Sequence, residues 1–201
     1  MKILITGFDP FNQETVNPAY LAVSKLRNTY DDIILTKLEI PTSFSHSFEI
    51  LSQELNNDYD AVIMVGQAGG RKEISLEKVA INYIDAKIAD NDGLVISHQA
   101  INSNGKDAYF TTLPILKLLS DLEKESIPAK ISYSAGTFVC NYLMYKTLEH
   151  FNNTNTKVGF IHVPYIKEQI KDDKTPNDII FNLDKLYFKK LIKTGINISE
   201  L

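Results

Sequence analysis

The sequence predicts an α/β fold: a single-domain, open, mostly parallel twisted sheet with helices on both faces. Short apolar segments alternate along the chain with segments of helical periodicity, which is typical of a parallel sheet covered on both sides. Residues 61–65 are apolar without alternation, as a central buried strand should be. With 201 residues, 44% of them hydrophobic, one domain spanning residues 1–201 can bury a sizeable core.

The first half of the chain predicts three strands and two helices. Strands are expected at residues 3–6, 33–40 and 61–65. Asn17 is a suitable N-cap for the first helix, whose first residue, Pro18, needs no partner for a backbone N–H. Phe48, Leu51 and Leu55 recur at helical spacing and predict the second helix.

The segment 74–107 interrupts this alternation. It begins with apolar and β-branched residues in mixed order and then accumulates turn-forming residues, so we expect an antiparallel excursion or an edge ribbon. Val95, Ile96 and Ile101 are available there for burial. Too few apolar residues remain in the segment for a second core, and one domain is therefore expected.

The alternation resumes after the excursion. A helix is expected after Pro114, carrying Leu116, Leu118, Leu119 and Leu122, and a strand follows at residues 131–133. The next helix runs through Leu143, Met144, Leu148 and Phe151 and leads to a strand at residues 157–162. A last helix is expected to be capped by Thr175.

Cys140 is the only cysteine of the chain, and it follows a strand and a turn of small residues at the start of a predicted helix. Unpaired N–H groups and the helix dipole favour a thiolate there and can receive an oxyanion, so we expect a thiol pKa below about 8.5. His162, at the end of a buried strand, is a candidate base. A lone cysteine is also often a small core residue, and these residues alone favour that alternative.

The glycine-rich loop at residues 66–70 follows the third predicted strand. It lacks the glycine order of a dinucleotide-binding loop and the Lys-Ser/Thr pair of a P-loop, so nucleotide binding is disfavoured. Small residues here would instead let the backbone approach a ligand closely. One cysteine and scattered histidines have no zinc-site spacing, and we expect no metal or organic cofactor.

Charge and hydropathy bear on the class of partner. A net charge of -4 and a pI near 5.6 provide no basic surface for nucleic acid or an anionic membrane. No apolar run approaches the ~18 residues of a membrane-spanning helix, and residues 1–6 are too short for a signal peptide. A single free thiol fits a reducing compartment, so we expect a cytoplasmic protein without a nucleic-acid or membrane partner.

Four blocks in this order resemble the pyroglutamyl peptidase I (pyrrolidone-carboxyl peptidase) family of cysteine peptidases. They are residues 6–11 (Thr-Gly-Phe-Asp-Pro-Phe) with 17–18, residues 66–71 (Gly-Gln-Ala-Gly-Gly-Arg) with 77–82, residues 134–140 (Ser-Ala-Gly-Thr-Phe-Val-Cys) with 141–145, and residues 161–165 (Ile-His-Val-Pro-Tyr). The resemblance covers nearly the whole chain, weakens after about Asp172, and reverses the preference for Cys140 as a core residue.

This resemblance implies hydrolysis of the amide bond after an N-terminal pyroglutamyl (5-oxoproline) residue through a thioester acyl-enzyme. Cys140 would attack, His162 would carry the proton, and Glu77 would orient the imidazole. Without the resemblance, Glu77 next to Lys78 would be interpreted as a solvated surface pair. Family members often form tetramers, so a homo-oligomer is expected.

The same resemblance implies a substrate pocket. The matching positions are Phe8, Phe11, Asn17, Gln67, Lys87 and Val139. Phe8 and Phe11 would sandwich the pyroglutamyl ring, although the residues alone indicate ordinary core side chains, and Asn17 is equally a helix cap. Many members have arginine where this chain has Lys87, which keeps the charge but loses the planar set of donors. Residues 94–104 also depart from a proline-rich loop of the family.

The competing interpretation is a non-enzymatic α/β ligand-binding or redox-sensing protein whose lone thiol is oxidised. Peroxide reactivity would not separate the two, because any low-pKa thiol reacts. Turnover of a pyroglutamyl amide, lost in proportion to thiol alkylation, would.

Overall fold

The computed structural model describes residues 1–55 and 58–169, which form a mixed sheet flanked by helices. In chain order the elements are β1 (Lys2–Phe8), α1 (Pro18–Ser24), β2 (Thr29–Tyr30), β3 (Ile33–Ile40), α2 (Ser47–Glu54), β4 (Ala61–Gln67), β5 (Ile74–Glu77), β6 (Val79–Ile81), β7 (Ala108–Phe110), α3 (Ile115–Lys124), β8 (Ala129–Ser132), α4 (Val139–His150), β9 (Lys157–Val163) and a 3-10 helix (Lys167–Gln169).

Seven strands form the main sheet in the order β2-β3-β1-β4-β9-β5-β8. The strands β3, β1, β4 and β9 are mutually parallel, whereas β5 runs antiparallel to β9 and parallel to β8. Strands β6 and β7 pair antiparallel in a separate small sheet. The predicted α/β class, with a mostly parallel sheet, is confirmed.

Two hydrophobic clusters lie on opposite faces of the main sheet. Successive side chains of a strand point to opposite faces, and in β1 Ile3 and Ile5 belong to one cluster while Leu4 and Phe8 belong to the other. The first cluster packs against α1 and α3, and the second packs against α2 and α4. The prediction of helices on both faces is therefore confirmed.

The described helices agree with the sequence patterns. Asn17 caps α1, its Oδ1 accepting a hydrogen bond from the Ala19 N–H at 3.0 Å. The helix predicted after Pro114 is α3, in which Leu118 and Leu122 are buried and Leu116 is 73% exposed. The last predicted helix, capped by Thr175, lies outside the described residues. Within the described ranges, no helix has the length and apolar character needed to cross a membrane.

The predicted excursion at residues 74–107 is confirmed only in part. Strands β6 and β7 form an antiparallel pair, as expected. Strand β5, however, is not an edge ribbon, because it lies inside the main sheet between β9 and β8. Val95 is 53% exposed rather than buried, while Ile96 and Ile101 pack partly against the second cluster. The insertion of β5 carries Glu77 into the interior.

Candidate active site

Cys140 is the second residue of α4, directly after the turn that leaves β8. Gly136 in this turn has a φ of +82°, a left-handed conformation that glycine adopts without steric strain. The cap residue of α4, Phe138, makes no side-chain hydrogen bond to the first turn. The backbone N–H groups of this turn, together with the positive end of the helix dipole, therefore face the region around the thiol.

The thiol lies against β4 at Gly66. A Cβ at this glycine would be 3.1 Å from Cys140 Sγ and 2.7 Å from the ring of Phe160, so only glycine leaves room for both. Gly66 pairs in parallel register with His162 on β9, and Phe160 is two residues before His162 on that strand. Residues two apart on a strand share a face, so the thiol and the imidazole lie on the same side of the sheet.

A buried hydrogen bond joins His162 to Glu77. Strands β9 and β5 are antiparallel neighbours, and His162 Nδ1 lies 2.7 Å from Glu77 Oε1. The carboxylate side chain has no exposed surface, and His162 is 4% exposed. The interpretation of Glu77 and Lys78 as a solvated surface pair is thus wrong. With Nδ1 donating to the carboxylate, the proton of a neutral imidazole is on Nδ1 and Nε2 is left to act as a base.

Arg71 completes this network and was not among the predicted site residues. Its Nη1 donates to Glu77 Oε1 at 2.5 Å, and its Nη2 donates to the Ser134 carbonyl at 3.1 Å. The guanidinium therefore links the carboxylate to the turn that precedes Cys140. Arg71 follows the glycine loop in the sequence, but nothing in its spacing from Glu77 or Ser134 indicates this contact.

Burial is the largest influence on the pKa values of both Cys140 and His162. Burial raises the pKa of the Cys140 thiol to about 12, and the negative charge of Glu77 adds to this effect. Burial also lowers the pKa of His162, against the opposing hydrogen bond and charge of Glu77. The expected low thiol pKa is therefore wrong, because loss of solvation outweighs the helix N-terminus, and both the thiol and the imidazole are neutral at neutral pH. Cys140 nevertheless keeps some exposed surface.

Glu77 behaves in the opposite way. Burial alone would raise the pKa of this carboxyl, but the hydrogen bond and charge of His162, assisted by Arg71, leave it lowered. Glu77 is therefore ionised at neutral pH and provides a fixed negative charge beside the imidazole.

Two aromatic rings flank the start of α4. Phe11, from the loop after β1, lies 6.1 Å from the ring of Phe138, which directly precedes the fully buried Val139. Phe138 was missed at the sequence level, although it belongs to the block that contains Cys140. Phe8 is different: it is 2% exposed and packs against Phe160 at 6.2 Å, as a core residue does.

Asn17 and Gln67 are held by hydrogen bonds. Besides capping α1, Asn17 donates from Nδ2 to the Asp9 carbonyl at 2.8 Å. Gln67 Oε1 accepts from Gln169 Nε2 at 2.8 Å. Asn17 and Phe8 also line a surface pocket of about 170 Å³ next to α1, whose lining does not include Cys140. Both polar side chains thus have structural roles, and any contact with a ligand would be in addition to these roles.

Lys87 lies at the surface. Its side chain is 81% exposed and its ammonium group contacts Asp85 Oδ2 at 2.6 Å. The backbone of Asp85 is hydrogen-bonded to Thr137 in the turn before α4. Lys87 is two residues from Asp85 in the sequence, and its ammonium group is directed to the Asp85 carboxylate. Within residues 1–55 and 58–169, no group of three or more His, Cys, Asp or Glu side chains is arranged to hold a metal ion.

Comparison with known proteins gives a consistent result. Residues 1–186 match the family model described as pyroglutamyl peptidase. The pyrrolidone-carboxylate peptidase of Brachyspira hyodysenteriae is 50% identical over 201 residues, covering 98% of this chain and 99% of its own. The crystal structure of Bacillus amyloliquefaciens pyroglutamyl peptidase I superposes with a TM-score of 0.90 at 39% identity, covering 96% of each chain. A mutant pyrrolidone carboxyl peptidase from Pyrococcus furiosus gives 0.93 at 38% identity, covering 100% of both.

Proposed function

The chain belongs to the pyroglutamyl peptidase family, and from this premise we propose that it is a cysteine peptidase that hydrolyses the amide bond after an N-terminal pyroglutamyl residue. The main support is the buried pair of His162 and Glu77 on the face of the sheet against which Cys140 lies. A thiol nucleophile, a base and a carboxylate that orients the base are the groups that such an amide hydrolysis needs.

In acylation, Cys140 Sγ attacks the pyroglutamyl carbonyl while its proton passes to His162 Nε2. Since both groups start neutral, proton transfer accompanies attack rather than preceding it. The imidazolium that forms lies beside the ionised Glu77, whose charge stabilises it. The Arg71 guanidinium holds the same carboxylate oxygen and so helps to fix its orientation.

The developing oxyanion lies near the first turn of α4, where backbone N–H groups can donate to it. His162 then delivers its proton to the leaving amine as the C–N bond breaks and the thioester forms. Water then gives a proton to His162 as it attacks the thioester carbonyl. The C–S bond breaks, pyroglutamate is released, and His162 returns the proton to Cys140 Sγ. No step of this cycle requires a cofactor.

Substrate recognition is assigned to the loops around the thiol. The lactam ring would contact Phe11 and Phe138, whose rings are 6.1 Å apart, and the backbone of the Gln67 loop would bond to the lactam amide. Phe8 and Val139 support this region from the core, and Asn17 holds the loop that carries Phe11. The role proposed for Lys87 is electrostatic, because its exposed ammonium group is paired with the Asp85 carboxylate.

We also propose that the enzyme acts in the cytoplasm as a homo-oligomer. The support is the single free thiol, which a reducing compartment protects, and the resemblance to a family with tetrameric members. Light scattering of the purified protein measures the assembly.

The test is turnover of a pyroglutamyl amide with a chromogenic leaving amine. Activity should fall in proportion to alkylation of Cys140, and Cys140→Ala should remove turnover while the far-UV circular dichroism stays unchanged, because only a small group is deleted. A Cys140→Ala variant as active as the unsubstituted protein would refute the mechanism. Binding of a pyroglutamyl peptide without any turnover would instead favour the non-enzymatic alternative.

A further inference from the structure

One segment bridges the two loops that flank the thiol. We call residues 85–91 the strap. At its first end, the Asp85 N–H donates to the Thr137 carbonyl at 3.1 Å, and Thr137 Oγ1 donates to the Asp85 carbonyl at 2.9 Å. Thr137 is three residues before Cys140, so this end is fixed to the turn that presents the nucleophile.

The other end of the strap is fixed through Asn91. Its side-chain Nδ2 lies 3.1 Å from each carboxylate oxygen of Asp9 and 3.0 Å from the Pro10 carbonyl. The Asn91 backbone N–H donates to the Thr42 carbonyl at 2.9 Å. Asp9 Oδ1 also accepts from the Thr42 N–H at 2.7 Å, so the carboxylate joins three segments of chain.

These contacts form a closed series that includes both Phe11 and Phe138. Phe11 follows Pro10 directly, and its aromatic side chain packs against Phe138, the residue after Thr137. The series of contacts therefore leads from Thr137 through the strap to Asn91. From Asn91 it continues to Pro10 and Phe11 and returns through Phe138 to Thr137. Cys140 lies two residues beyond Phe138.

The turn after Phe11 is closed by a hydrogen bond from the Glu14 N–H to the Phe11 carbonyl at 3.1 Å. Asn12 and Gln13 have φ values of 52° and 63°, in the left-handed region that residues with a side chain adopt at a cost. Both are exposed, so core packing does not hold them. The hydrogen bond of this turn fixes the chain after Phe11, whereas those of Asn91 reach the two residues that precede Phe11.

We propose that Asn91 is a positioning residue for substrate recognition, which holds Asp9 and Pro10 so that Phe11 is kept opposite Phe138. This inference rests on the proposed function, because it concerns the ring pocket of that enzyme. Asn91 touches neither Glu77 nor His162, and it acts on affinity for the pyroglutamyl ring rather than on the chemical step.

The test uses Asn91→Asp, which keeps the size of the side chain but replaces its donors with a carboxylate facing Asp9. We expect KM for the pyroglutamyl amide to rise about tenfold, the loss typical of a hydrogen bond to a charged group, with kcat changed less than about twofold. The rate of Cys140 alkylation should be unchanged. Asn104→Asp, the same substitution at an exposed position of the 82–107 segment, is the matched control and should leave KM unaltered.

A reciprocal exchange keeps the test independent of folding defects. In Asp9→Asn with Asn91→Asp, the amide donor is on the other side of the contact between residues 9 and 91, while the bond to the Pro10 carbonyl stays lost, so KM should fall below that of Asn91→Asp without returning to the unsubstituted value. Equal KM in the unsubstituted enzyme and Asn91→Asp, or a double variant worse than the single one, would overturn the positioning role while leaving the peptidase intact. Lack of any turnover by the unsubstituted protein would overturn the proposed function and, with it, this inference.

Discussion

Replacing Glu77 with glutamine isolates the contribution of the buried charge. Glutamine keeps the size of the side chain and one oxygen acceptor. Arg71 and His162 both donate to the same oxygen, Oε1, so the glutamine carbonyl has to occupy that position. Its amide nitrogen then replaces Oε2, which accepts no hydrogen bond from the described residues. The variant therefore keeps His162 in the tautomer with its proton on Nδ1.

The size of the effect follows from the charge removed. Opposite charges 4 Å apart interact by about 4 kcal/mol at an effective dielectric constant of 20, and the imidazolium and Glu77 are in direct hydrogen-bonding contact. The remaining hydrogen bond to glutamine recovers part of this energy. We expect a loss of about 2–4 kcal/mol in the transition state, or roughly 30- to 10³-fold in kcat/KM.

The pH dependence has a definite sign. The charge of Glu77 opposes the burial that lowers the pKa of His162, so its removal lowers that pKa further. The base then stays unprotonated at lower pH, and the acid limb of kcat/KM moves to lower pH. The same charge raises the pKa of Cys140, so its removal makes the thiol easier to ionise. Glu77→Gln should therefore hydrolyse substrate more slowly but react faster with iodoacetamide.

The assay measures kcat/KM between about pH 5 and pH 9, and the alkylation rate at one alkaline pH, in the unsubstituted enzyme and in Glu77→Gln. Glu73→Gln is the control, because Glu73 has the same chemistry but pairs with Lys130 at the surface. A kcat/KM within about threefold of the unsubstituted value would refute the assigned role. Slower alkylation in Glu77→Gln would refute the electrostatic reasoning.

Two further outcomes are expected. The alkylation rate of Cys140 in the unsubstituted protein should keep rising through about pH 10, because burial raises its pKa to about 12, and a plateau below pH 8 would reveal a stable thiolate instead. Phe11→Ala should raise KM for the pyroglutamyl amide and reduce its preference over the matching prolyl amide. Lactam pairing can give up to ~10⁴-fold discrimination, whereas shape alone gives ~10- to 200-fold. Equal cleavage of both amides by the unsubstituted enzyme would argue against lactam recognition.

The sequence predicts well what local chemistry determines. The apolar segment at residues 33–40 coincides with β3, and Asn17 caps α1 as its position before Pro18 indicates. Both features depend on neighbours in the chain: hydrophobic pattern in one case, and a short polar side chain before a helix in the other. Leu116 lies in the predicted helix but is exposed, because a run of leucines does not fix which side of a short helix faces the core.

The site depends instead on pairings that are distant in sequence. Glu77 faces His162 only because β5 is inserted antiparallel between β9 and β8, and nothing near Glu77 in the sequence specifies that register. The contact of Arg71 with the carboxylate arises from the same insertion. The thiol pKa failed as a prediction for a related reason: the helix N-terminus is a local feature, whereas the desolvation that outweighs it comes from tertiary packing.

Because of the insertion of β5, the proposed catalytic residues and the proposed substrate-binding residues should differ in their sensitivity to heat. Glu77 and His162 are carried by neighbouring strands of the main sheet, whose spacing of about 4.8 Å is maintained by main-chain hydrogen bonds. Phe11 and the strap lie on loops outside it, where local opening requires much less free energy than loss of the sheet. We therefore expect warming to weaken substrate binding first, while the hydrogen bond between Glu77 and His162 persists until the sheet itself unfolds.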